Sequence, residues 1–418
     1  MISYPPDSSS LFECYLMTNF KTPKDDITLE FTPSATPLSS DMTFIENFKS
    51  QCIILTQSDI SDIEQETYIV AVKDINEQRY YCYIFCKNNL KDDGKSIFLL
   101  SIISKYLQPH LLNWAVEVVG KTGCFELFEE LKNSKFENNG YDVYLNIKSE
   151  YNCPYYANHD LTTQGEYGKL LEKFIRNFSP VYIPIILNYL MHDSKIIVLS
   201  SSCSRISEVV LSILSFLYPF GNNEIAINFF PLRRNSFLEF QSMKGPCIFG
   251  VHSTMVNQLT KLIECIKDSF IIFNIDNVYI HEVNSARQET SPKLSEIILK
   301  YQSDLTNIIY SSVPAFPVYR IQVLTSNLIT SIIGVLIEAE NLEFQTILDK
   351  FESIQNSSNV QYKILSVFYD NMKKSDNELF KSMYFSSEFQ NDIFSIPIVP
   401  YNIPSGRHSV KKSKIQAI

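Results

Sequence analysis

A chain of 418 residues, 45% hydrophobic and 20% charged, is too long for one ordinary core and predicts two or three globular domains. Its 29 Phe and 24 Tyr argue against disorder over most of the length. A formal charge of −10 argues against nucleic acid as a partner, because that binding rests on clustered Lys and Arg.

Strand signals dominate residues 11–148: LFECYLM (11–17), QCIILTQ (51–57), ETYIVAVKD (66–74) and RYYCYIFCK (79–87). The last two flank INEQ, a short polar connection typical of an antiparallel hairpin. Residues 96–120 read as a short strand or turn followed by a helix, with Gly120 as its stop. This is an α+β lobe, a sheet with packed helices. Residues 133–164 form a polar connector in which YDVYLNI (141–147) adds one more strand.

Beyond it the rhythm alternates. YIPIILNYLM (182–191) is helical, KIIVLSS (195–201) is a short apolar run, and Ile206, Val209, Val210, Ile213, Leu214 and Leu217 share one helical face before Pro219. EIAINFF (224–230) and CIFGV (247–251) follow as buried strands. A helix through Met255, Leu259, Leu262, Ile263 and Ile266, capped by Ser253 or Thr254, then leads into the strand FIIFNI (270–275). Alternating strands and helices predict an α/β layer with parallel pairs. NSARQETSP (284–292) is a second polar break, and the periods after it are mainly helical. The final stretch has Pro397, Pro400, Pro404 and the basic run RHSVKKSK, and reads as a loose tail.

Motifs for bond chemistry fail on inspection. VVGKTG (118–123) resembles the end of a phosphate-binding loop, but Ala115 stands where that loop needs glycine, and Asn89 does the same for GKS at 94–96. There is no GxGxxG and no GxSxG. The nine cysteines (14, 52, 82, 86, 124, 153, 203, 247, 265) include no CxxC pair, so reduced and mostly buried thiols in a cytoplasmic protein are expected. Cys82 and Cys86 share a strand face without further ligands beside them. The six histidines lack metal spacing. His252 reads as a hydrogen-bonded structural residue at a strand end, and Asp276 as an Asx turn in IDNVYI. MISYPPDSSS has neither a basic start nor an apolar run, so no secretory leader is expected. VVLSILSFLYPF (209–220) and LITSIIGVLIEA (328–339) fall short of the roughly 18 apolar residues of a membrane span. No cofactor and no metal are expected.

Glycine is scarce, eleven in all, yet two fall in GPCIFGVHS (245–253). With KIIVLSSSCSRISEVVLSILSFLYPF, FPL and FIIFNIDNVYI this segment resembles the DENN domain in its usual order. The correspondence runs through Ser200 to Ser202, Tyr218-Pro219-Phe220, Pro231-Leu232, Pro246 to Gly250 and Val251, and Asn274-Ile275-Asp276, where Asn274 replaces the first acidic residue of the pattern. LFECYLMTNF and the YYCYIFC hairpin look like the longin-type module that precedes a DENN core.

The resemblance implies a tripartite architecture of α/β and α+β parts. Its pieces are a longin-like upstream lobe (1–150), an α/β DENN core (165–283), a helical downstream region (293–394) and a flexible basic tail (395–418). It further implies a guanine-nucleotide exchange factor, acting on a Rab-type small GTPase held between two lobes in vesicle traffic, with no covalent chemistry of its own. Ser201, Ser202, Arg205, Arg233 and Arg234 are the GTPase-binding candidates. Pro219, Phe220, Pro231, Pro246, Gly250 and Asp276 are the structural signature, with Gly250 letting the strand turn tightly into the next helix and Pro246 opening that strand without a ladder N–H. Trp114, the single tryptophan, is expected in the first-lobe core, and if exposed would be an interface anchor. Arg407, His408, Lys411, Lys412 and Lys414 offer weak contact with an anionic membrane, about 1 kcal/mol per charge. Two alternatives are a folliculin-like GTPase-activating protein, for which Arg79 is the nearest first-lobe arginine, and a DENN scaffold without catalytic effect.

Overall fold

The computed structural model describes residues 10–20, 27–54, 65–91, 94–133, 136–138, 143–146, 158–160, 163–179, 181–191, 195–216, 226–227, 247–265, 270–283, 292–311 and 324. The first part is a five-stranded antiparallel sheet in the order β2-β1-β5-β4-β3, built from β1 (Cys14–Phe20), β2 (Glu30–Thr32), β3 (Gln65–Lys73), β4 (Arg79–Lys91) and β5 (Gly94–Ser104). The predicted β3–β4 hairpin is present, with Lys73 opposite Arg79. Its turn is held by Asp74 Oδ1, which accepts from the N–H groups of Asn76 (2.8 Å) and Gln78 (2.9 Å).

Two expectations are corrected here. QCIILTQ was expected as a strand, but residues through Ile54 complete α1 (Met42–Ile54). A short β-branched run cannot be told from a helix end by periodicity alone. Gly120 does not stop its helix: α2 runs Pro109–Thr122 and ends at Gly123, whose left-handed φ of 74° is the C-cap. Gly120 serves packing instead, because a Cβ there would lie 2.2 Å from Cδ1 of the buried Phe85 ring. Gly120→Ala is expected to destabilise by about 2 kcal/mol or more, since helix and sheet must separate. An unchanged thermal unfolding midpoint would contradict this packing. The Gly-Lys-Thr of 120–122 lies in the last turn of α2, the negative end of a helix dipole and the wrong end for phosphate.

Helix α3 (Glu126–Asn133) packs its buried Leu127, Phe128 and Leu131 inward. The connector, expected to hold one strand, forms three short antiparallel ones, β6 (Phe136–Asn138), β7 (Val143–Asn146) and β8 (Asn158–Asp160).

The second large sheet has the order β10-β11-β9-β12-β13, from β9 (Lys195–Ser200), β10 (Ala226–Ile227), β11 (Cys247–His252), β12 (Phe270–Asn274) and β13 (Tyr279–Val283). The first four are parallel neighbours, as alternation predicted, and β13 adds antiparallel to β12. Every residue of β9 and β11 is buried, as expected for strands covered on both faces. The helices are α4 (Thr163–Asn177), α5 (Tyr182–Met191), α6 (Cys203–Phe216), α7 (Val256–Cys265) and α8 (Pro292–Ser311). The helical segments expected after Ser311, and the basic tail, lie outside the described residues.

Helix α6 joins the two parts. It packs on β9 and β11 and also along β3, where Ile69 N–H donates to Ser207 Oγ (3.1 Å) and the same hydroxyl donates to Ile69 C=O (3.0 Å). The open edge of the first sheet is thus closed by a helix of the second.

Candidate functional site

The carboxyl ends of parallel strands are where open α/β sheets place their sites, and here a polar knot forms between β9, β11 and β12. Asp276, just past β12, receives Ser200 Oγ at 2.6 Å, Ser201 N–H at 2.7 Å and Arg205 Nη1 at 3.0 Å. Arg205 Nη2 also donates to Ile275 C=O (2.8 Å). Burial pushes the Asp276 carboxyl up, but the Ser200 hydroxyl, the Ser201 amide and Arg205 together hold it below its ordinary value. The Asx turn expected of Asp276 belongs to Asn274, whose Oδ1 accepts from the N–H groups of Asp276 (3.1 Å) and Asn277 (3.0 Å). The residue that departs from the resemblance therefore orients the one that keeps it.

His252 is the structural residue it was expected to be, buried at the end of β11. Its Nδ1 accepts from Thr254 N–H (3.3 Å), so Nε2 carries the proton and donates to Ser201 C=O (2.8 Å). The helix cap expected at Ser253 or Thr254 is this imidazole, heading a 3-10 turn before α7. Gly250 is also corrected: it lies within β11, opposite Val198, and the turn comes after His252. A His252→Phe variant strands the Ser201 carbonyl and the Thr254 amide, an expected cost of about 2 kcal/mol. The midpoint of urea denaturation reads it.

At the start of α6, Ser202 is the N-cap: its Oγ accepts from Arg205 N–H (3.2 Å). That hydroxyl donates to Glu66 Oε1 (2.5 Å), and Glu66 Oε2 accepts from Cys203 N–H (3.0 Å). Glu66 belongs to β3, so the first sheet supplies an anion to the helix N-terminus of the second. Of the candidates, Ser201 and Arg205 stand at the surface and Ser202 is turned inward to Glu66. Gly250 and Asp276 are placed as above. Arg233, Arg234, Pro219, Phe220, Pro231 and Pro246 lie outside the described residues. Arg79 sits at the hairpin end of β4. Glu66 escaped the sequence reading because its partner is 136 residues away and no local pattern marks it.

Below α6 a groove of about 740 Å³ opens between the parts, walled by Trp114 and Glu117 of α2, Thr67 and Ile69 of β3, α4 and α6. Trp114 is half-buried on this wall, packed against the core and facing the groove. Among the described residues, no group of three His, Cys, Asp or Glu side chains is arranged to hold a metal ion, and no helix is long and apolar enough to cross a membrane. Cys82 and Cys86 are buried free thiols.

Comparison with protein families decides the identity, since residues 140–278 match the model of the DENN (AEX-3) domain. Residues 140–278 thus carry a DENN domain. No curated protein matches it. The matched stretch holds β7 and β8 of the connector sheet, α4 to α7 and β9 to β12, and its end falls in the turn that carries Asp276. The knot of Ser200, Ser201, Arg205, His252 and Asp276 thus lies within the DENN domain, whereas Glu66 and Trp114 lie before it.

Proposed function

We propose that this DENN protein is a guanine-nucleotide exchange factor for a Rab-type small GTPase. The observation that carries the reading is the DENN match itself, since DENN domains as a family bind Rab GTPases and promote their exchange. In this reading residues 1–150 are the longin-like lobe, 165–283 the core and 293–394 the downstream helical region. The protein works in the cytoplasm, and the basic tail of 395–418 touches anionic membrane. Ser201 and Arg205, held rigid by Asp276, present a fixed polar edge to the GTPase, and Arg233 and Arg234 are further candidates for GTPase contact. A protein that binds the displaced form of the switch loops best shifts their population toward it and releases GDP, without acid, base or metal of its own.

Release of a fluorescent GDP analogue from a panel of Rab GTPases tests this. Acceleration of one member by at least about tenfold is expected, a differential affinity of that size for the displaced state. A flat response across the panel overturns exchange and leaves a DENN scaffold.

A further inference from the structure

β13 is an edge strand of the second sheet, and the direction of its peptide groups follows from β12. Ile275, just past β12, donates its N–H to Leu199 C=O (3.0 Å). Peptide groups alternate in direction along a strand, so Ile271 and Phe273 turn theirs to β9, and Phe270, Ile272 and Asn274 turn theirs to β13. Their partners Val283, His281 and Tyr279 bond inward. Ile280 and Glu282 therefore aim their N–H and C=O groups away from the sheet. Among the described residues, no backbone or side-chain group pairs with those amides and carbonyls. Val278 has the same parity, but the Tyr182 hydroxyl donates to its carbonyl (2.8 Å) and its φ of 52° is left-handed, so the extended edge begins after it.

Edges of this kind are usually protected by lysine, proline or a bulge. β13 reads YIHEV, without Lys or Pro, and its register with β12 runs unbroken. Its carboxylate, Glu282, is engaged by the Tyr189 hydroxyl of α5. Tyr279 is 48% exposed, and His281 and Glu282 are exposed beside it. The edge is thus open, unguarded and lined by an aromatic ring in water.

We infer that β13 pairs with β13 of a second copy of this chain, antiparallel about a two-fold axis through His281, so that two sheets become one continuous sheet. The residues of the strand select both the occupant and the register. With Ile280 and Glu282 facing outward, donors meet acceptors only when the axis passes through Ile280, His281 or Glu282. An axis through Glu282 sets two carboxylates opposite each other, which is destabilising. An axis through Ile280 draws Val278 into the ladder, and its left-handed backbone cannot extend one. The axis through His281 lets Ile280 and Glu282 of the two copies exchange main-chain hydrogen bonds in both directions. It also sets the two His281 side by side and lays the exposed Tyr279 against Val283 of the other copy. The strand is its own complement. The inference does not rest on nucleotide exchange, and the groove below α6 is walled by α2, β3, α4 and α6, not by β13.

Analytical ultracentrifugation of the full chain from about 1 to about 200 μM tests this, the range that suits an interface below standard size. A monomer–dimer equilibrium is expected within it. Ile280→Pro deletes an outward N–H while the ladder to β12 keeps Tyr279, His281 and Val283. His281→Lys, at an exposed position, sets two ammonium groups opposite each other. Each should raise the dimer Kd at least about tenfold. Oxidation reads the register, since opposed residues of a non-hydrogen-bonded pair lie about 4.5 Å apart, within disulfide reach. His281→Cys should cross-link two chains above the wild-type level, and Tyr279→Cys should not. A monomer at every concentration would overturn the inference and leave β13 as an edge for another protein's strand. A dimer that either Ile280→Pro or His281→Lys leaves intact would overturn it too, as would cross-linking that is absent at 281 or equal at 281 and 279. A flat GDP-release assay would leave it standing.

Discussion

Asp276→Ala is expected to lower the stability of the DENN domain by about 3 kcal/mol, because it strands a hydroxyl, a backbone amide and a guanidinium at once. Ser200 Oγ, Ser201 N–H and Arg205 all converge on this carboxylate, and hydrogen bonds to an ionised acceptor are the stronger kind. Asp276→Asn keeps the shape and one acceptor, so about half that loss is expected. The pH dependence has a definite sign. The folded carboxyl titrates below its ordinary value, so its contribution is complete above the unfolded value of about 4 and is lost as pH falls through the lower folded one. Urea midpoints of wild type and Asp276→Asn should therefore converge on acidification from about pH 7 to about pH 3. Parallel curves would show that the knot contributes nothing through the charge.

Much of the second sheet was legible in the residues. KIIVLS and CIFGV are apolar runs bounded by polar turns, and the helix between them shows a clean apolar face. Local chemistry was enough there. Failures came where local chemistry was ambiguous or irrelevant. QCII has β-branched residues and still extends a helix, because Phe44 and Phe48 at the front of α1 are buried and fix the helix from that side. Gly120 looked like a stop, yet its lack of a Cβ answers to the Phe85 ring on another element. Gly123, only three residues on, was the better stop because its backbone is left-handed.

The candidate site divides the same way. Ser202 as a cap and His252 as a structural imidazole were readable from their place at a helix start and a strand end. That Asp276 binds the β9–α6 turn was not, because Ser200 and Asp276 are 76 residues apart and meet only once β9 and β12 are neighbours. Seams between elements leave little trace in one sequence.

The contact most hidden in the sequence carries the other large expected effect. Glu66→Ala removes from the start of α6 both the acceptor of the Ser202 hydroxyl and that of the Cys203 amide. It also removes a negative charge from a helix N-terminus, and the combined cost is expected at about 2 kcal/mol or more. Glu66→Gln keeps an acceptor without the charge and should lose less. Because β3 and α6 belong to different sheets, the loss should appear as local opening between them. Cys203 and Cys86 are buried there and serve as reporters: their thiols are protected by burial, so labelling requires the seam to part. An opening made easier by about 2 kcal/mol raises the labelling rate about thirtyfold. Cys247, buried in the second sheet away from Glu66, should label at an unchanged rate. Equal acceleration at all three thiols would mean that Glu66 supports the whole fold, and no acceleration would mean that the Ser207 bridge to Ile69 suffices to hold the two sheets together.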